Sequence, residues 1–212
     1  MTRLPMIVLL GCVLVLGAMA HDAEAGARRS RPLRSGQTTC WDSTGMVIAC
    51  TGTDQDGDLQ RGEPRSYLDN GDGTIRDKRT ALTWEKQSND GSVHDKDTLL
   101  SWAGAFAKID ALNTTPCFAG FCDWRLPSAL ELVTLVDFGT SNPSIAAPFN
   151  TACPNGCTVL TCSCTFSNSY WTSTTEDFDP TSAFVVSFFT GAMGFADKTL
   201  VLFRARAVRG GS

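Results

Sequence analysis

The chain has 212 residues, 42% of them apolar and 19% charged, with nine cysteines and a formal net charge of −4. That length and apolar content suffice for one domain with a real core. The acidic balance argues against a nucleic-acid surface built on phosphate electrostatics.

Residues 1–20 read as a secretory signal peptide. Arg3 supplies a positive start, Met6 to Leu16 an apolar run, and Ala18-Met19-Ala20 a small-x-small cleavage site before His21. The run is shorter than the ~20 residues of a stable span, so the mature chain is expected to have no transmembrane segment. Leu9-Leu10-Gly11-Cys12 outlines a lipoprotein box but sits too early in the run, so anchoring at Cys12 is not expected. The expected destination is the periplasm, the cell surface or the medium. Cleavage removes Arg3, leaving 17 basic against 22 acidic residues, a net −5. Residues 21–36, with the basic run Arg28 to Arg34, read as a solvated, disordered leader.

Residues 37–66 read as a hairpin and loop extension, with strands at 38–41 and 46–50 around Asp42-Ser43-Thr44-Gly45 and a loop at 51–64. Tyr67-Leu68 enters a second hairpin through Asp69-Asn70-Gly71-Asp72-Gly73, whose Asn-Gly and Asp-Gly pairs accept positive φ. A strand follows at 80–86. Asp97 or Thr98 can cap a first helix with Leu99, Trp102, Phe106 and Ile109 near helical spacing. Ser128 and Glu131 form a capping box for a second helix, buried through Leu132, Leu135 and Val136 and ended by Asn142-Pro143. From Tyr170 the pattern is strand-like, with Phe184, Val186 and Phe188 on one buried face, a turn at Thr190-Gly191, and a last strand over Leu200 to Val208. Strands flanking two central helices make an α+β domain.

Eight cysteines remain after cleavage: Cys40, Cys50, Cys117, Cys122, Cys153, Cys157, Cys162 and Cys164. An even count in an exported chain reads as disulfides. Local pairing joins Cys40 to Cys50 and Cys117 to Cys122, and leaves two bridges among the last four. Zinc competes for those four, but the spacing lacks the Cys-x2-Cys knuckles of zinc ribbons, and disulfides are the expectation.

Asp54, Asp56 and Asp58 around Gly57, and Asp69 with Asp72, resemble fragments of calcium loops. Gly57 falls at the fourth position rather than the sixth, so turn formation explains them better. No cofactor is required by the sequence; calcium is the one it leaves open.

Cys122-Asp123-Trp124-Arg125-Leu126-Pro127, Leu135-Val136-Asp137, Asn142-Pro143-Ser144-Ile145, Tyr170-Trp171-Thr172-Ser173-Thr174-Thr175 and Val208-Arg209-Gly210-Gly211 occur in one order. In that order they resemble the bacterial extracytoplasmic family named after the C-terminal domain of the Legionella collagen-like protein. The resemblance covers residues 67–212. It implies a C-type-lectin-like domain of the formylglycine-generating-enzyme branch, with terminal strands close together and a loop-rich binding side. Family members often carry two further cysteines, where this chain has Ile109 and Ala207. The sulfatase-activating enzymes use a redox cysteine pair near their C-terminus, and this chain has no cysteine after Cys164.

Trp124, Arg125, Trp171 and Arg209 could make a sugar platform, but core rings and arginines paired with Asp123 or Glu131 are the expectation. Phe189, Met193, Phe195 and Leu202 are left over from the strand alternation and, with Phe178 of the same region, form the candidate ligand surface. No histidine lies near Ser173, Thr174 or Thr175, and His94 sits in a polar loop. The expectation is a secreted, non-catalytic module binding a glycan or protein at a cell surface. An enzyme of the sulfatase-activating branch and a structural surface module are the alternatives.

Overall fold

The structure, a computed structural model, describes residues 32–211. The expected signal peptide, Cys12 and residues 21–31 of the leader lie outside the described residues. The rest of the leader, residues 32–36, is held by backbone hydrogen bonds instead of being loose. Arg34 N–H donates to Glu63 O at 3.0 Å, and Phe138 N–H donates to Ser35 O at 2.8 Å. Composition does not reveal such pairing, because it is made by the main chain.

β1 (Cys40–Trp41) and β2 (Val47–Ile48) form the expected antiparallel hairpin, clipped by the Cys40–Cys50 disulfide. The expected loop after it contains one helical turn, α1 (Asp56–Leu59). Gly57 makes this possible, since a Cβ there would stand 2.6 Å from Thr39 O. β3 (Tyr67–Asp69), β4 (Thr74–Asp77) and β5 (Leu82–Glu85) then run as an antiparallel meander.

α2 (Trp102–Leu112) starts later than its apolar spacing suggests. Ser101, not Asp97 or Thr98, caps it, accepting from Gly104 N–H at 3.1 Å. Leu100 is held outside the helix by exchanging backbone bonds of 2.8 and 3.0 Å with Phe203. The buried stripe is Ala105, Lys108, Ile109 and Leu112, at i, i+3, i+4 and i+7, with a lysine among its apolar residues. The next link carries the expected Cys117–Cys122 disulfide. α3 (Ala129–Val133) has the expected capping box but ends well before Asn142-Pro143.

β6 (Ser169–Thr175), β7 (Ser182–Ser187) and β8 (Met193–Asp197) make a three-stranded antiparallel sheet with β8 at its edge. The expected strand at Leu200 to Val208 is mostly irregular. It is held by single bridges from Phe203 to Leu100 and from Arg204 to Tyr170, and only its end becomes β9 (Val208–Gly210). β9 pairs with β5, giving a sheet of order β3-β4-β5-β9 in which the C-terminal strand closes on the N-terminal meander. Helices and antiparallel sheets stapled by disulfides give the expected α+β, disulfide-stabilised class.

β7 buries both its faces, not one. Ala183 and Val185 join Trp171, Trp124 and α2, while Val186 and Phe188 join Trp84, Tyr170 and Leu132. Phe184 is only half-buried. Ile109 and Ala207 are buried in the same cluster.

Charge is also buried between the sheets. Glu85 has no exposed surface. Its Oε1 meets Lys108 Nζ at 2.9 Å and His94 Nδ1 at 2.8 Å, and its Oε2 accepts from Ala207 N–H at 2.8 Å. Arg206, likewise sealed, donates to Glu85 O, Gln87 Oε1, Cys164 O and Thr165 Oγ1 at 2.7–3.0 Å. Burial alone raises a carboxylate's pKa; the lysine, the histidine and the backbone donor outweigh it and bring Glu85 down to about 2.

Two outcomes are expected. Removing one partner strands a buried charge, so Lys108→Met should cost about 3–5 kcal/mol in urea unfolding at neutral pH. Glu85 binds protons more weakly in the folded chain than its ordinary value of 4.5, so its contribution is complete above that pH and is lost as pH falls toward about 2. Near-UV circular dichroism should follow that loss, and Glu85→Gln should be less stable at neutral pH with a flatter acid limb.

Candidate functional site

After α3 has placed Leu135 and Val136 in the core, the chain turns outward through residues 137–144. Asp137 Oδ1 accepts from Gly139 N–H at 2.8 Å, and Thr140 Oγ1 donates to Asp137 O and Pro143 O. Asn142-Pro143 is cis, with Asn142 at φ +53°. The loop is sewn to the end of β7 by Ser144 N–H on Phe188 O at 2.6 Å and Asn142 N–H on Phe189 O at 3.4 Å.

The β7–β8 turn fits beneath this loop because residue 191 is glycine. Its φ is +80°, and a Cβ would stand 2.7 Å from Val136 Cγ1 and 2.9 Å from Phe138 Cε1. An open groove of about 520 Å³ results, lined by Phe138 and Phe189 with Gln37, Thr140, Ser141, Asn142, Ser144 and Thr190. The two rings are 46% and 54% exposed. No lining residue carries a charge. Among the described residues, nothing hydrogen-bonds the side chains of Gln37, Ser141 or Asn142. Apolar ring faces beside free neutral donors and acceptors suit a ligand that is apolar on one side and hydroxylated at its edges.

All five residues of the expected ligand surface are exposed, but only Phe189 belongs to this groove. Met193 and Phe195 lie on one face of the edge strand, opposite Val186 and Phe184. Phe178 stands in the β6–β7 connection, and Leu202 between β8 and β9.

The acidic residues work in turns. Asp58 accepts from Gly52 N–H, Asp54 takes φ +56°, and Asp56 opens α1. Asp72 accepts from Thr74 N–H. Asp69 accepts from Gly71 N–H and Lys86 Nζ, which outweigh its burial and hold it below the ordinary carboxylate range. Among the described residues, the four cysteines 153, 157, 162 and 164 are the group that gathers three or more ligands, and the acidic loops do not.

The signature residues serve as framework. Trp124 and Trp171 are buried. Arg125 grips Glu131 at 2.6 and 2.8 Å, and Arg209 meets Asp123 at 2.7 Å and covers the Phe121 ring. Gln37, Phe138, Thr140 and Ser141 are the groove residues that sequence reasoning passed over. They come from segments a hundred residues apart and share no periodicity; the Asn142 to Ile145 run was the available signal.

No curated protein matches the chain. The model of the Lcl C-terminal domain matches residues 73–209, well over half of the chain, and the chain belongs to that family.

Proposed function

We propose that the protein is an exported, non-catalytic binding domain whose Phe138/Phe189 groove takes a neutral carbohydrate at a cell surface. One observation carries this reading: two half-exposed aromatic rings flank uncommitted amide and hydroxyl side chains in an uncharged depression. Its volume falls within the ~300–1,000 Å³ of small-ligand sites. Export rests on the pattern of residues 1–20 and on four disulfides. The pairing of β5 with β9 and the loop-built groove favour the C-type-lectin-like arrangement.

A binding role is preferred to catalysis because His94 is committed to the sealed Glu85 and does not line the Phe138/Phe189 groove. Calcium is not needed for this binding, since the groove has no carboxylate to hold it. A second reading, a protein ligand, is favoured by exposed Met193 and Phe195 on the edge strand.

The test is a glycan array with the oxidised mature protein, followed by calorimetry on any hit. Saturable binding of neutral glycans is expected with calcium and with chelator alike. Phe138→Ala and Phe189→Ala should each weaken it about tenfold. Gly191→Ala should weaken it too, by displacing Phe138. Binding that survives the double phenylalanine variant but fails in Met193→Ser/Phe195→Ser would move the site to the edge strand. Loss of binding with chelator would bring the Asp54–Asp58 and Asp69–Asp72 loops back as sites.

A further inference from the structure

Cys153, Cys157, Cys162 and Cys164 are joined as Cys153–Cys164 and Cys157–Cys162. All four sulfurs nevertheless lie within 4.8 Å of one another. Across the two bridges, Cys164 Sγ is 3.8 Å from Cys157 Sγ and 3.5 Å from Cys162 Sγ. A tetrahedral zinc–thiolate centre with bonds of ~2.3 Å has sulfur–sulfur edges of roughly 3.8 Å. Two separations across the bridges therefore already match tetrahedral edges, and once the S–S bonds are opened the bonded pairs need only move apart to the same spacing, within a cluster no wider than 4.8 Å. We propose that the reduced form of this loop is a tetrathiolate site for one Zn²⁺ ion, so that the loop exists either doubly disulfide-bonded or clamped by metal.

The loop does not depend on its disulfides alone for its shape. Asn89 N–H donates to Cys157 O at 2.9 Å, and Asn89 Nδ2 donates to Cys153 O at 3.2 Å. Gly156 N–H donates to Asn89 O at 2.6 Å, and Cys164 N–H to Gln87 O at 2.8 Å. Residues 87–89, the continuation of β5, thus hold three of the four cysteines by their backbones and keep the sulfurs gathered when the S–S bonds open.

Charge supplies an independent argument. Four thiolates around one Zn²⁺ carry excess negative charge. Arg206 presses on the same loop through Cys164 O and Thr165 Oγ1, each at 2.7 Å, and makes no salt bridge with any described carboxylate. Its Nε and the hydroxyl of Ser163, between two of the cysteines, are buried without partners. The one guanidinium N–H and the hydroxyl left over in the disulfide form are donors of the kind a thiolate centre uses for stabilisation.

The conversion balances with a dithiol reductant. Two dithiols break both bridges, deliver four electrons and four protons to give four thiols, and leave as disulfides. Zn²⁺ then displaces four protons as the sulfur–metal bonds form.

The test uses the mature protein, reduced with a phosphine, desalted without oxygen and titrated with Co²⁺. The expected result is saturation at one equivalent, with thiolate-to-cobalt charge-transfer bands and the visible bands of a tetrahedral ion, abolished by Zn²⁺. A variant with serine at Cys40, Cys50, Cys117 and Cys122 should keep this spectrum, and Cys162→Ser/Cys164→Ser should lose it. A reduced protein that keeps its near-UV signal yet shows no tetrahedral cobalt would overturn the proposal. So would a spectrum indifferent to Cys162→Ser/Cys164→Ser. If reduction itself removes the near-UV signal, Zn²⁺ should restore it in both the natural chain and the four-serine variant; failure to do so also counts against the site.

Discussion

A carboxylate with no exposed surface must be neutralised where it stands, and in this domain that carboxylate is Glu85. Its partners come from three directions: Lys108 from α2, His94 from the loop after β5, and the Ala207 amide from the segment leading to β9. Lys108 also donates to Ala205 O at 3.0 Å, and Gln87 donates to the same carbonyl at 3.1 Å. The irregular stretch before β9 is thereby tied down by polar contacts where a regular ladder is missing. Buried ion pairs contribute little net stability, because desolvation offsets attraction. They do penalise every arrangement in which one partner is missing. The cluster therefore specifies how α2, β5 and the C-terminal segment dock more than it adds to their stability.

That division explains what could be read in advance. Turn chemistry is local, so the Asp69 to Gly73 hairpin and the Ser128/Glu131 capping box were visible from short strings of residues. The Cys40–Cys50 and Cys117–Cys122 pairings were visible because each closes a short loop, whereas Cys153, Cys157, Cys162 and Cys164 are so close together that sequence left their two bridges unassigned. The start of α2 was not, since Leu100 is captured by Phe203 from the far end of the chain. Lys108 was invisible for a related reason. A lysine at a core position of a helix reads as a break in the apolar stripe until the buried glutamate opposite it is known. β8 was obscured because Gly194 interrupts its alternation, while the richer Leu200 to Val208 run diverts its backbone to bridges with Leu100 and Tyr170.

The same logic separates signature from site. The residues that carry the family resemblance most clearly, Trp124, Arg125, Trp171 and Arg209, are engaged in the core or with acidic partners. They hold loops in place and have little left for a ligand. The groove instead uses residues without structural duties: two phenylalanines that the core does not absorb and three polar side chains that no described neighbour claims. A framework of this kind lets part of the groove lining change without endangering the fold, since replacing the Ser141 side chain would leave no described hydrogen-bond partner unsatisfied.

The placement of charge fits this separation. Glu85, Lys108 and Arg206 are sealed between the sheets, while the groove is neutral and its surroundings are tied by backbone bonds. A neutral groove gains no long-range attraction, so its selectivity has to come from shape and hydrogen bonding at contact. Shape here is set by one backbone approach, Gly191 beneath Phe138, and by the backbone hydrogen bonds that tie residues 142 and 144 to the end of β7. The end of β7 is in turn anchored by Phe188 in the cluster that contains Trp84 and Tyr170. Tyr170 OH shares Gln87 Oε1 with Arg206, so the polar network at the centre of the molecule reaches the groove through a short chain of packed and bonded residues. Arg206 itself braces the cysteine loop and the strand that continues β5, and the groove is connected to it indirectly, through Gln87, Tyr170 and Phe188.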